Sequence, residues 1–246
     1  MKEMLKKPVS LNVKSTRSFD RQFPRLVQGG NYRDEMLSFI DSFISQKEFS
    51  HVLEVGGIDR PLLKRSERIE YDGLDIEYKD RCRDLYDHFI VQSIEEAIPG
   101  TYDLILSIAL LEHVSDNTLS IGQMHKALRT GGRIVHYTPS KYHPYSLILR
   151  LAGPKIQKRL IRILRPWAAQ VTGYPAFFDK CSPREMKKIL SALGFREIRV
   201  IPFFRANDYF RFFVPAYILV TLWENICRKL KWEQLCSGFI IIARKQ

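Results

Sequence analysis

The sequence predicts an α/β fold: a parallel sheet with helices on both faces. Three observations carry this. His51-Val52-Leu53-Glu54-Val55 is a short apolar run that ends in Gly56-Gly57, as a buried strand does when it enters a tight turn. Tyr71-Asp72-Gly73-Leu74-Asp75-Ile76 is a second such run ending in an acid, and the 21 residues from Glu54 to Asp75 suit one β-α-β unit. Further apolar runs then alternate with stretches of helical period down to the carboxyl terminus.

The elements follow in order. Residues 1–30 are polar, basic and without clear period, and are expected to form a loose amino-terminal arm ahead of a domain over 31–246. Asp34 to Gln46 has helical spacing of Met36, Leu37, Phe39, Ile40, Phe43 and Ile44. Strands are expected at 51–55, 71–75, 89–93, 102–108 and 132–138. The helices between them are weakly patterned at 59–67 and 79–88 and stronger at 117–129. Pro139-Ser140-Lys141 opens an insertion over 139–181, rich in tyrosine, proline and basic residues.

Ser182-Pro183-Arg184-Glu185 is a capping box with proline in the first turn, and Gly194 is placed to end the helix it starts. A sixth strand at 196–204 and a seventh at 239–243 enclose a second, apolar helical insertion over 207–232. Its Phe212–Trp223 segment, as helix, spans about 18 Å, too short to cross a bilayer. It is read as a segment dipping into one leaflet, with Trp223 and Trp232 near the headgroups. The other reading is a buried helix at the sheet edge, or a homodimer contact.

The chemistry begins at the first turn. Glycine at 56 lets a ligand approach the backbone, and Asp75 at a strand tip can accept both hydroxyl protons of a ribose. A nucleoside-containing cofactor is therefore expected at the carboxyl edge of the sheet. Asp59 is electrostatically wrong beside a pyrophosphate, which argues against a dinucleotide. S-adenosyl-L-methionine, with a sulfonium, an ammonium and no phosphate, tolerates carboxylates there.

At these residues the chain resembles the class I S-adenosylmethionine-dependent methyltransferases. Leu53-Glu54-Val55-Gly56-Gly57 resembles their first motif, and Leu74-Asp75-Ile76 their ribose-binding strand end. Gln92-Ser93-Ile94 falls where the family contacts adenine, although many members carry an acid at the position of Ser93. Tyr102 to Ser107 is similar to the fourth strand, Leu111-Glu112-His113-Val114 to the common L-E-H-V segment, and Leu128 to Arg133 to the turn entering the fifth strand. Ile58 and Arg60 stand where the family usually has its second and third glycines. The resemblance covers about residues 35–204 and a closing strand near 235–244. It implies a Rossmann-like seven-stranded sheet with insertions after strands five and six. It also implies S-adenosyl-L-methionine bound by Glu54, Gly56, Gly57, Asp75, Ile76, Ser93, Ile94 and Ser107, with no metal.

Composition fits a globular enzyme, with 45% apolar residues in 246. Cys82, Cys181, Cys227 and Cys236 form no C-x-x-C pair, which argues against zinc and against a disulfide framework. The amino terminus lacks the apolar core of a signal peptide, so a cytoplasmic protein is expected. Net charge is +12, and between Asp116 and Asp179 there are ten lysines and arginines and no acid. Lys155, Lys158, Arg159, Arg162 and Arg165 follow helical spacing. They are read as a basic face lying on anionic lipid or over a phosphate-bearing substrate, peripheral to the inner membrane face; the plainer reading is a solvated surface helix.

A base is useful if the methyl acceptor is a hydroxyl, and imidazole suits neutral pH. His113, just after strand four, is the first candidate and His143 the second; His136 reads as a satisfied strand histidine. The family usually builds a lid over the acceptor from such insertions. Tyr137, Tyr142, Tyr145, Trp167, Tyr174, Phe177 and Phe178 are interleaved with cations, which suits sugar rings carrying phosphate or acid groups. The leading expectation is O-methylation of a glycan or lipid-linked saccharide at the membrane. The alternatives are a prenylated aromatic or other lipidic small molecule, or a non-catalytic fold serving as a membrane partner. Nucleic acid is disfavoured, because no RNA-binding module is recognisable and the 212–223 segment favours lipid.

Overall fold

The computed structural model describes residues 2–27, 30–45, 49–58, 60–164 and 174–246. Seven strands form one sheet: β1 (His51–Val55), β2 (Glu70–Asp75), β3 (Phe89–Val91), β4 (Tyr102–Ile108), β5 (Leu128–Pro139), β6 (Phe195–Phe203) and β7 (Gly238–Lys245). Their order is β3-β2-β1-β4-β5-β7-β6. The first five run parallel, with Val55 beside Leu74 and Ser107, and Asp75 beside Val91. Strand β7 runs the other way: at its end, Lys245 Nζ reaches the Leu128 carbonyl and Arg244 Nε the Gly131 carbonyl, at the start of β5. The apolar runs of β1 and β4 are buried almost throughout, which is why they read as continuous rather than alternating.

The chain divides into two compact units. The first holds Asn31–Pro139, Phe177–Ile201 and Phe239–Gln246. It contains nearly all of the sheet, with α2 (Tyr32–Ser45), α4 (Asn117–Ala127) and α6 (Pro183–Ala192). Helix α4 starts where the Asp116 carboxylate accepts the N–H groups of Thr118 and Leu119. Helix α6 starts at the anticipated box: Ser182 Oγ accepts the Glu185 N–H at 3.4 Å and also bonds the Glu185 carboxylate. At the amino edge of the sheet, the Asp103 carboxylate accepts the N–H groups of Ser50 and His51, both at 2.9 Å, and holds Arg129 at 3.0 Å.

Two helices expected in this unit differ. No helix forms over the described part of 59–67, where Pro61 and the charged run Lys64–Arg68 leave only an isolated bridge between Ser66 and Ile69. The segment 79–88 forms a single turn, α3 (Cys82–Leu85).

The second unit holds Met1–Gly30, Ser140–Ala176 and Pro202–Gly238. The expected loose arm is a helix here, α1 (Lys2–Gln22). Its partners come from far along the chain, so local period could not show them: Asn12 Nδ2 donates to the Phe212 carbonyl at 2.7 Å, and Arg211 reaches Asp20 at 2.6 Å. Helix α5 (Pro144–Leu164) is broken at Gly153, whose φ of 70° interrupts it. The anticipated basic stripe lies on its second half; the side chains of Lys155, Lys158, Arg159 and Arg162, and all of Arg165 and Trp167, lie outside the described residues. The apolar insertion forms α7 (Val214–Lys229), packed through Tyr217 and Val220 onto Phe210 and Phe19. Among the described residues, no helix is long and apolar enough to cross a membrane.

Candidate functional site

The parallel order β3-β2-β1-β4 brings four segments to one carboxyl edge of the sheet: Ser93-Ile94, Asp75-Ile76, Gly56-Gly57 and Leu111-Glu112-His113. This is the edge where open α/β sheets take ligands. Gly56 has φ +75°, and its N–H donates to the Leu74 carbonyl at 2.8 Å, which continues the β1–β2 ladder to the start of the turn. A Cβ there would lie 3.0 Å from Leu110 Cδ1. At the tip of β2, Asp75 Oδ1 accepts the Glu77 N–H at 3.1 Å, which fixes the carboxylate at the strand end, and Ile76 is exposed. Ser93 Oγ accepts the Glu95 N–H at 3.2 Å, and Ile94 is buried.

Two of the anticipated contacts are turned inward. Glu54 is buried beneath the glycine turn. Its two carboxylate oxygens accept the Leu62 N–H at 3.0 and 2.9 Å, and Oε2 also takes the Tyr71 hydroxyl. Burial pushes its acid up to about 8. Glu54 therefore organises the loop below the site rather than facing a ligand. Arg33 of α2 clamps the same loop from outside, with Nη2 2.9 Å from the Pro61 carbonyl. These groups hold in place a turn that carries Ile58 and Arg60 instead of glycines.

Ser107 is likewise fully buried, its hydroxyl 2.8 Å from His136 Nδ1, which leaves its backbone as the part able to meet a cofactor. Burial pushes His136 down to about 3, so that ring is neutral.

The two histidine candidates part company. His113 ends a short 3-10 turn after β4, with its side chain one-third exposed and Nε2 3.8 Å from Glu112 Oε1. His143 belongs to the other unit and is fully buried. Its Nδ1 accepts the Tyr145 N–H at 3.2 Å, and its Nε2 lies 3.3 Å from Glu224 of α7. An imidazole so enclosed cannot reach an acceptor hydroxyl, and His143 is corrected to a structural residue. Asp59 lies outside the described residues.

Sequence reasoning gave no role to Glu112, and the structure gives it one. Its carboxyl is buried, and burial pushes it up to about 6. Oε2 accepts the Thr138 hydroxyl at 3.3 Å, while the Glu112 carbonyl accepts the N–H groups of Phe177 and Phe178. Tyr32 of α2 stands within electrostatic reach, its phenol raised chiefly by burial, and stacks on Tyr137 with centroids 3.8 Å apart. An acid inside an otherwise apolar segment was the available signal. Of the remaining aromatics, Tyr142, Tyr174 and Phe177 are exposed, whereas Tyr145 stacks on Tyr209 and Phe178 is buried.

The described residues bring together one set of metal-ligand type, His51, Glu70 and Asp72, at the opposite edge of the sheet. There His51 Nε2 bonds Asp72 directly at 2.9 Å, which closes the group on itself.

Solved structures of methyltransferases share the fold that carries this edge. A structure of Haemonchus contortus phosphoethanolamine N-methyltransferase 2 with S-adenosyl-L-methionine superposes with a TM-score of 0.52 at 13% identity. That match covers 86% of this chain and 52% of the other, so the chain spans about half that protein's length. An Archaeoglobus fulgidus SAM-dependent methyltransferase matches over 94% of this chain and 99% of its own, with a TM-score of 0.51 at 17% identity. A Thermotoga maritima SAM-dependent methyltransferase matches over 95% and 98%, with a TM-score of 0.52 at 13% identity. No curated protein matches the chain in sequence. At these identities the structures speak for the fold. The family profile described as "Methyltransferase domain" matches residues 29–200 and so covers every element of the carboxyl edge. By that match, the chain belongs to the methyltransferase-domain family.

Proposed function

We propose that the chain is an S-adenosylmethionine-dependent O-methyltransferase whose acceptor is a hydroxyl of a lipid-linked saccharide. The observation that carries the methyl-transfer reading is the convergence of Gly56, Asp75 and the Glu112-His113 pair at the carboxyl ends of adjacent parallel strands. The donor set fits the cofactor. A carboxylate at the tip of β2 suits ribose hydroxyls, and Gly56 forms a turn whose space a side chain would fill. When bound, S-adenosylmethionine supplies a sulfonium-activated methyl group. Asp75 would hold the ribose, with Ile76, Ser93 and Ile94 beside the adenine and the Gly56-Gly57 backbone beside the methionine moiety.

Direct displacement depends mainly on alignment, so the residues act chiefly by positioning. His113 Nε2 would accept the acceptor's hydroxyl proton as the new C–O bond forms and the C–S bond breaks. Glu112 behind it would steady the resulting imidazolium. The saccharide reading is supported by the exposed Tyr142, Tyr174 and Phe177 and by the acid-free basic stretch between Asp116 and Asp179.

Asp75→Ala is expected to weaken S-adenosylmethionine binding by roughly 1.5–3 kcal/mol, the range for a lost charge-assisted hydrogen bond. Titration calorimetry measures it; unchanged affinity would put the cofactor elsewhere. Transfer of labelled methyl to a lipid-linked saccharide fraction, against a prenylated phenol, tests the acceptor. Label only in the phenol would replace the saccharide reading.

A further inference from the structure

Helix α7 mixes polar and apolar side chains on its buried face and exposes a further apolar stripe. The face turned into its unit carries Tyr217, Thr221 and Glu224, all buried and all engaged. The Tyr217 hydroxyl donates to Asp20, Thr221 Oγ1 accepts from Asn207 Nδ2 at 2.9 Å, and Glu224 accepts the Ala206 N–H. Asn225 at its flank donates to the Leu26 carbonyl at 2.6 Å. The outward face carries Leu219, Leu222, Ile226 and Leu230, exposed by 67, 46, 49 and 51%. Their spacings of three, four and four residues place them in one stripe, about 16 Å long. The inward hydrogen bonds fix the rotation of the helix, so it cannot roll to bury these leucines. Single exposed apolar side chains are ordinary; a continuous stripe marks an interaction surface.

The groups around the stripe say what covers it. Arg228, Lys229 and Lys231 are exposed at its carboxyl end, next to Trp232, which is 46% exposed. A row of leucines bordered by cations and an indole has the chemistry of the water–bilayer boundary: apolar side chains among acyl chains, tryptophan at the headgroups, cations on anionic lipid. A second copy is the less suitable occupant, because a chain of net charge +12 is repelled by its own kind and attracted by an anionic surface. We infer that the Leu219–Leu222–Ile226–Leu230 face of α7, with Trp232 and the adjoining cations, docks the protein shallowly and reversibly on an anionic membrane. This inference stands independently of the methyl-transfer reading.

Co-sedimentation of the full chain with vesicles of phosphatidylcholine alone, or mixed with phosphatidylglycerol, tests it at low and high salt. The expected result is partition to the mixed vesicles only, falling as salt rises. Leu222→Ser with Ile226→Ser should lower partition about tenfold or more, through lost apolar burial. Lys229→Glu with Lys231→Glu, both at exposed positions, should lower it roughly thirtyfold. Thermal melts show whether the variants are folded, and the charge pair keeps the test valid if the serine pair is not. Equal partition to both vesicle types, no partition to either, or no effect of the charge pair would overturn the inference. A doubled mass in sedimentation equilibrium, returned to monomer by the serine pair, would reassign the face to a dimer.

Discussion

Replacing His113 by alanine is expected to lower turnover by about 10²–10⁴ while leaving S-adenosylmethionine affinity nearly unchanged. The imidazole is one-third exposed at the site edge, and its Nε2 is 3.8 Å from a buried carboxyl. Taking a proton from an acceptor hydroxyl places a positive charge on the ring. The adjoining Glu112 carboxylate can offset that charge, and its acid, pushed up to about 6 by burial, is ionised at neutral pH. Activity should therefore fall as pH drops below about 6, where Glu112 takes a proton. Glu112→Gln should keep the side chain's shape, lower turnover and remove only Glu112's share of that fall, because the His113 base must still be unprotonated to act. The decisive measurement is single-turnover methyl transfer across pH 5–9 for the wild type and both variants. A loss smaller than about threefold in His113→Ala would mean that alignment alone carries the reaction.

What the sequence could show depended on whether a residue's partners were local. Strands β1, β2 and β4 were legible because burial on both faces leaves a continuous apolar run. Helix α6 was legible because its capping box lies within four residues. Helix α1 was not, because the groups that hold it, Arg211 and Phe212, lie nearly two hundred residues away. The same limit applies at the site. Gly56 and Asp75 are named by position on a strand end. The inward turn of Ser107 onto His136, and of His143 onto Glu224, depends on pairings between separate elements. Glu112 could be seen as an odd acid in an apolar segment, but its role emerges only with Thr138 and Tyr32 beside it. The outward leucines of α7 illustrate the converse. The apolar run was plain, but which side faces solvent was decided by hydrogen bonds to Asp20, Asn207 and Ala206.

Gly57→Val should unfold the glycine turn after β1 rather than merely obstruct a ligand there. A Cβ at 57 would lie 2.6 Å from Glu54 Cδ and against the Tyr86 hydroxyl, so the substitution forces the buried acid out of its place. The expected cost is about 3 kcal/mol or more, a fall of roughly 6–12 °C in melting temperature for a chain of this size. The acid underneath adds a pH signature. Its native value near 8 stands above the ordinary 4.5, so the folded chain holds a proton that the unfolded chain gives up. The stability this provides is complete below about 4.5 and is lost as pH rises through about 8, a difference on the order of a few kcal/mol. Glu54→Gln mimics the protonated acid, keeping an oxygen for the Leu62 N–H with no proton to lose. Urea melts at pH 5 and pH 8 should therefore show wild-type stability falling between the two more steeply than that of Glu54→Gln. Glu112 and the other titrating groups are common to both chains and cancel in the comparison. Equal slopes would mean that Glu54 is ionised in the native fold, and the loop from Gly57 to Leu63 would then rest on a buried carboxylate rather than on a buried acid.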